Sequence, residues 1–397
     1  MTSDSLALVI SVVCAASSLV WIFLLAAALA NRRKSIDLSD LPSGEPVSGW
    51  PRLAVVIAAR DEEAMIARAV RSLLDQDYPD LELIVVDDRS ADRTGTILDE
   101  LAEEEPRLSV VHVDALPDGW LGKTHAMQRG ADETFAPWIL FTDGDVIFAP
   151  GALRRAVAYA VDQEADHLVT LPDAITVGFG ERMFMALFTL MFSIKFPYWR
   201  VADRASGVYV GVGAFNLVRA EAFRGIGGLR RVALSVDDDM RLGQALKYAG
   251  YTTKVVNGTS EIKVRWHVGV GGMVRGIEKN FFAGIDFRLP MALAAAATIL
   301  LTTLGPLAGL FVGPWWTRLI CGLGLLAPVA LIRLVCPTTG VAAWYGLTLP
   351  LAGPVMTYAL ARSVVLTLRR RGVSWRGRTY PLAELRSHVR LRNHWLR

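Results

Sequence analysis

Four stretches of this chain, 6–30, 291–312, 316–336 and 341–367, are apolar with few interruptions, and each is long enough to cross a bilayer. Between the first and the second, the pattern changes to short apolar runs separated by polar, helix-like segments. Residues 53–58, 82–86 and 108–113 read as strands, and a fourth strand starts at Trp138. Helices fit 64–74 and the stretch that ends near Glu104. The runs are continuous rather than alternating, so a parallel sheet covered on both faces is expected. Residues 183–199 make a shorter apolar run, broken by Lys195 and Pro197. That length fits an amphipathic helix on a membrane surface better than a span, with a buried core helix as the alternative. Residues 211–216, rich in small side chains, read as a strand that another segment approaches closely. A helix is expected from Asp237 to about Tyr248.

These breaks give an N-terminal transmembrane anchor (1–30), a linker (31–50), a globular domain (51–288), a C-terminal transmembrane region (289–368) and a basic tail (369–397). Composition agrees: 52% hydrophobic residues exceed what a soluble protein carries, and 20% charged residues exceed what a bundle of membrane helices tolerates. The basic cluster Asn31-Arg32-Arg33-Lys34 follows the first apolar run, while only Asp4 precedes it. The positive-inside rule then puts the N-terminus outside and the following domain in the cytoplasm of an inner-membrane protein. A cleaved signal peptide has the reverse charge order, so the run is a signal anchor. At the other end two rules collide. Three spans starting from the cytoplasm leave the tail outside, yet Arg369-Arg370-Arg371 calls for it inside, unless one segment is re-entrant.

The net charge of +3 comes from basic residues beside apolar segments, which indicates a membrane partner and no nucleic acid. Cys14, Cys321 and Cys336 all lie in apolar segments, excluding a disulfide framework or a zinc site. The six histidines show no ligand-like spacing and read as structural.

Chemistry gathers at the strand ends. The strand from Trp138 runs into Thr142-Asp143-Gly144-Asp145, the first into Arg60-Asp61-Glu62-Glu63, the second into Asp87-Asp88-Arg89-Ser90. In an open α/β sheet, ligands bind beyond the carboxyl ends of strands. Two aspartates there offer hard oxygen donors for a divalent cation that also carries phosphate. Asp-Gly is also an ordinary turn dipeptide, and the acidic run Asp237-Asp238-Asp239 also complements a helix N-terminus. Recurrence at successive strand ends is what packing does not explain.

In order, Ala58-Ala59-Arg60-Asp61-Glu62-Glu63, Val85-Val86-Asp87-Asp88-Arg89-Ser90, Gly119-Trp120-Leu121-Gly122-Lys123-Thr124-His125-Ala126 and Thr142-Asp143-Gly144-Asp145 resemble the motifs of membrane-bound family 2 glycosyltransferases. The ceramide-glucosyltransferase-like branch, with its carotenoid- and hopanoid-associated enzymes, is the most similar. The similarity covers about 50–285, and Trp375-Arg376-Gly377-Arg378-Thr379-Tyr380 also resembles that group's tail. The resemblance implies an α/β GT-A nucleotide-diphospho-sugar-binding domain, a Rossmann-like mixed sheet, with transmembrane helices on both sides and interfacial helices at 183–199 and 268–285. It implies that Asp87 and Asp88 hold the uracil and ribose of a UDP-sugar. Ala58, Arg60, Glu62 and Lys123 would line the nucleotide and diphosphate, and Asp143 and Asp145 would hold Mg²⁺ or Mn²⁺, Asp145 more directly. The family's base stands in an acidic pair before a helix. Asp238-Asp239-Met240-Arg241-Leu242 through Gly250-Tyr251 has that spacing and makes Asp239 the base, with Asp238 its neighbour and fallback. Several relatives carry Gln-x-x-Arg-Trp; this chain has Arg265-Trp266 with no Gln three residues ahead, leaving these two as acceptor or diphosphate contacts, or as interface anchors.

The expected activity is therefore inverting, metal-dependent transfer of a sugar from a UDP-sugar to a lipid hydroxyl at the cytoplasmic membrane face. Alternatives are a processive polysaccharide synthase, against which the missing Gln speaks, a polyprenyl-phosphate sugar transferase, and a non-catalytic nucleotide-binding scaffold.

Overall fold

The computed structural model describes residues 3–30, 36–335 and 340–395. The basic cluster 31–34 and Cys336 lie outside the described residues. In chain order the first elements are α1 (Ser3–Ala30), β1 (Leu53–Ala59), α2 (Ile66–Leu74), β2 (Leu81–Asp87), α3 (Thr94–Glu104) and β3 (Leu108–His112). Then come α4 (Gly122–Asp132), β4 (Trp138–Asp143), β5 (Val146–Phe148), α5 (Ala152–Asp162), β6 (His167–Ala174) and α6 (Gly178–Lys195). The middle of the chain adds β7 (Asn216–Arg219), α7 (Ala220–Gly225), α8 (Asp238–Tyr248), β8 (Thr253–Val264) and α9 (Gly269–Ala283). The last are α10 (Leu289–Ala308), α11 (Trp315–Val335), α12 (Leu349–Arg369), β9 (Gly372–Trp375), β10 (Arg378–Pro381) and α13 (Leu382–Trp395).

These elements form two compact units. One holds 35–174, 196–265 and 383–397; the other holds 1–34, 175–195 and 266–382.

The first unit is built on an eight-stranded sheet in the order β3-β2-β1-β4-β7-β6-β8-β5. As the continuous apolar runs imply, β3, β2, β1 and β4 are parallel; β1, β2 and β4 are buried on both faces, whereas β3 is the partly exposed edge. Val55 and Ile57 point to one core with Ile66, Val70 and Leu73 of α2. Val56 points to the other core with Ala126 and Met127 of α4. The sheet is mixed rather than wholly parallel, because β7 runs antiparallel to both its neighbours and β5 runs antiparallel to β8. The strand expected over 211–216 is a correction: 211–215 is a turn, and strand pairing starts only at Asn216. Close approach does occur there, since a methyl on Gly211 would fall on the Asp239 carbonyl oxygen, and one on Gly243 on that of Val210. The tail helix α13 belongs to this unit, with His388 Nε2 3.5 Å from Ser235 Oγ.

The second unit is helical, and four of its helices are long and apolar enough to span a membrane: Ser5–Ala30, Leu289–Ala308, Trp315–Leu334 and Ala343–Arg369. They pack through small residues, as helices do where lipid supplies no hydrophobic contrast. Ser17 faces Gly305, Cys14 and Cys321 face Gly309, and Ser18 faces Gly324. Trp21 Nε1 donates to the Thr302 carbonyl at 2.7 Å. Leu8, Val12 and Phe23 are exposed on the remaining surface of α1. A short link makes α10 and α11 antiparallel. Gly353 packs on Thr303, whereas Ser363 donates to the Glu278 carbonyl and accepts from Phe282 N, so α12 also runs against α10. Gly346, just ahead of α12, lies on Pro328 and Val329 of α11.

The surface helix expected over 183–199 starts earlier and ends at Lys195, because Pro197 cannot continue it. Its Glu181 accepts from the backbone N–H of Val177 and of Gly269, both at 2.6 Å, tying the starts of α6 and α9 together.

Gly130 is where α4 meets the sheet: an added methyl would lie 2.5 Å from Val56 Cγ1 and 3.2 Å from Val86 Cγ2. Gly130→Leu should cost about 1–3 kcal/mol by overpacking. Thermal unfolding in detergent would report it as a lower midpoint; an unchanged midpoint would mean that α4 is not seated this way.

Candidate active site

Strands β1, β2 and β4 end level with each other, because Ala58 pairs with Val86 on one side and with Asp143 on the other. Their acidic loops therefore open at one sheet edge. Lys123 enters this edge from the first turn of α4, with Nζ 2.5 Å from Asp143 Oδ1 and 3.6 Å from Asp238 Oδ2. Burial alone would lower the lysine's pKa, but Asp143, Asp238 and Asp239 outweigh burial and hold it above its ordinary value. Asp239 caps the meeting of two backbones. Its Oδ2 accepts from Gly213 N at 2.8 Å and its Oδ1 from Met240 N at 2.7 Å. Burial, then Asp238, pushes its pKa up to about 7, with Lys123 pulling the other way. Asp237 is engaged elsewhere, 2.9 Å from Arg241 Nε.

Asp145 sits across the turn, half-buried. Burial, then the Asp143 and Glu62 carboxylates, raises its pKa to about 7. Among the described residues no three His, Cys, Asp or Glu side chains form a preassembled metal cage. A cation that shares its shell with a diphosphate needs only one or two protein carboxylates. The excess of negative charge around Asp145 is what such a cation relieves, so Asp143 and Asp145 fit one.

The second loop is built differently. Asp88 is buried and gripped by Arg89, Nε to Oδ1 at 2.8 Å and Nη2 to Oδ2 at 3.0 Å, with Arg60 Nη1 3.7 Å away. A methyl on Gly122 would fall on Asp88 Oδ2, so the first residue of α4 must be small. Arg89 (φ 58°) and Asp61 (φ 51°) hold left-handed backbone in the two loops, strain typical of ligand clamps. Asp87 accepts from Ser90 N at 3.2 Å, and its other oxygen lies 3.2 Å from His112 Nδ1. Glu62 N donates to Thr94 Oγ1 at 2.8 Å, which joins the first loop to α3.

Lys123, Asp143, Asp145, Glu62, Asp238 and Asp239 thus gather in one group, and Arg60, Asp87 and Asp88 in the adjoining loop. Arg265 follows the last residue of β8, Val264, which pairs with Val146. Continuing that register by one residue puts Arg265 opposite Asp145. Trp266 packs in the helical unit, its ring 4.7 Å from Phe188 and 5.1 Å from His267. The position three ahead of Arg265 is Ile262, fully buried in the core, where an unpaired amide would be costly. Sequence reasoning missed Arg89 and His112 as participants. The signal was available in the strand ends, since His112 closes the third strand as Asp87 closes the second.

Comparison with known proteins agrees with this geometry. Residues 54–227 match the model of the family described as Glycosyl transferase family 2. This stretch is a family 2 glycosyltransferase domain. The transferase is 25% identical over 287 residues to the 4,4'-diaponeurosporenoate glycosyltransferase of Staphylococcus aureus (strain MRSA252), covering 72% of this chain and 74% of that one. It is 37% identical over 112 residues to the beta-monoglucosyldiacylglycerol synthase of Synechocystis, 28% of this chain but only 23% of that one. Among solved structures it superposes on a mannosyltransferase from Pyrobaculum calidifontis in complex with GDP-Man and Mn²⁺, with a TM-score of 0.53 and 15% identity. That match covers 93% of this chain and 99% of the other, and it shows the GT-A fold.

A metal test follows from the sign of the Asp145 shift. Its pKa in the folded protein, about 7, lies above the ordinary value of 3.8, so this group lowers stability as pH climbs between the two. A cation that binds the ionised pair stabilises most above that range. Mn²⁺ should raise the thermal midpoint of the transferase at about pH 8 and have little effect near pH 5. Equal shifts at both pH values would rule out these carboxylates as the ligands.

Proposed function

We propose that the transferase moves a sugar, with inversion, from a UDP-sugar to the hydroxyl of a lipid at the cytoplasmic face of the inner membrane. The observation that carries this reading is the joining of Lys123, Asp143, Asp238 and Asp239 into one group at the sheet edge. Asp88 and Asp87, ordered by Arg89 and His112, receive the nucleoside. Lys123 exchanges its Asp143 contact for a diphosphate oxygen, a role suited to a compact ammonium. Mg²⁺ or Mn²⁺, held by Asp145 and Asp143, supplies charge neutralisation for the leaving diphosphate. The acceptor O–H gives its proton to Asp239 as the oxygen bonds to the anomeric carbon, and the carbon–diphosphate bond breaks on the opposite side. A base whose pKa is lifted toward 7 by burial and by Asp238 is matched to this work.

Apolar acceptors are supported by the names of the two relatives, one a carotenoid-acid glycosyltransferase and one a glycolipid synthase. Four helices long and apolar enough to cross a membrane support an acceptor drawn from the bilayer. For topology, we read α1, α10 and α11 as crossings and Ala343–Arg369 as re-entrant, entering and leaving at the end where α1 finishes and α10 starts. The basic tail then stays on the catalytic side, and the clash between span count and charge disappears.

Two measurements test the reading. Full-length protein in detergent with Mn²⁺ should release UDP from one of a panel of UDP-sugars only when lipid extract is added. Asp239→Asn should reduce that release by about a hundredfold or more while UDP still binds. Release that ignores lipid and survives the substitution would sink the proposal. In membranes, a cysteine placed at Val312 should react with an impermeant thiol reagent from outside, and one placed at Ser387 should not. Labelling at Ser387 would restore three crossings in the C-terminal region.

A further inference from the structure

His112 touches no reacting atom in the scheme above, yet its surroundings are specific. It pairs in register with Asp87 at the ends of β3 and β2. Its Nδ1 lies 3.2 Å from Asp87 Oδ2, and its Nε2 lies 2.9 Å from Asp99 Oδ1 on α3. A neutral imidazole carries one N–H and can donate to only one carboxylate. Both bonds are made together only by the imidazolium. Asp87 itself is buried, and its second oxygen already accepts from Ser90 N. The first turn of α3 closes the remaining side, since a methyl on Gly95 would lie 2.9 Å from Asp87 Oδ2. The His112 ring is 44% exposed, so it exchanges protons with water freely.

We infer that His112, held as an imidazolium between Asp99 and Asp87, is a positioning residue that fixes Asp87 for the nucleoside of the donor and makes donor binding pH-dependent. This rests on the reading of Asp87 as a nucleoside contact. The charged groups that face the ring are Asp87 from β2 and Asp99 from α3. The Asp99 hydrogen bond, opposed by burial and aided by the Asp87 bond, holds the ring's pKa above its ordinary value. A group with a raised pKa acts fully below it and loses its effect as pH rises through it. Losing the proton leaves one N–H for two carboxylates and no charge to assist it, so the hold on Asp87 weakens to the Ser90 N–H and at most a neutral bond from the ring. Donor affinity should therefore fall as pH rises through the ring's raised pKa, above the 6.5 of an ordinary imidazole, and the His112→Gln variant carries whatever Asp239 and Asp145 contribute as they titrate near 7.

The test is UDP binding to the full-length protein by calorimetry, from about pH 7, where the UDP phosphate is already ionised, to about pH 9. Wild type should lose affinity by about tenfold across this range, as a charge-assisted bond gives way to a neutral one. His112→Gln, whose amide donates but does not titrate, should lack this alkaline loss of UDP affinity. Asp99→Asn should move the midpoint to lower pH, and in turnover the His112→Gln loss should appear in the donor KM rather than in kcat. A His112→Gln profile that follows wild type overturns the inference. Asp87→Asn separates the two layers. If it leaves UDP affinity unchanged, the nucleoside reading of Asp87 fails. If it weakens UDP while His112→Gln changes nothing, only the inference about His112 fails.

Discussion

The site depends on one ammonium placed among carboxylates. Lys123 touches Asp143 and stands near Asp238, with Asp239 close enough to be felt electrostatically. Without it, α8 would bring its acidic first turn against the acidic end of β4, and like charges at such range destabilise any fold. The lysine therefore does two tasks. It makes the juxtaposition of strand end and helix start tolerable, and it leaves a cation at the carboxyl ends of the strands. The two glycines of the Gly-Trp-Leu-Gly-Lys motif serve this placement, the second by leaving room for Asp88 against α4.

Much of this was legible in the sequence, and for physical reasons. Continuous Val/Ile/Leu runs mark doubly covered strands, so β1 to β4 were expected nearly to the residue. The ordered acidic loops made the family readable where each alone was not. What the sequence hid is long-range. The antiparallel placement of β7 depends on pairing with a strand distant in sequence, as between Val169 and Asn216, which no local pattern encodes. The turn at 211–215 looked like a strand because small residues suit both a strand under close approach and a loop pressed against a helix. The partners of Asp87 and Asp88 were invisible for a similar reason. Arg89 is next in sequence, but only the left-handed backbone turns its guanidinium back onto Asp88.

The membrane-facing half followed a different logic. Hydropathy found the apolar segments and could not tell a crossing from a return, because length and composition are the same for both. Direction is set by which small residues meet. Gly353 against Thr303 and Ser363 against Phe282 give α12 its heading, and Gly346 seats the start of this segment on Val329 of α11.

The contact of Gly211 and Gly243 with opposing carbonyls carries a consequence for how such an enzyme can diversify. Where α8 begins, backbone rests on backbone at Gly211 and Gly243, and the Asp239 carboxylate ties the 211–215 loop to the helix through Gly213 N. At those two glycines any side chain would collide with a carbonyl, so the approach cannot be repacked there. The location of Asp239 is thereby insulated from changes in the residues that would greet different acceptors. A scaffold of this kind can let the residues around it drift while the start of α8 stays in place.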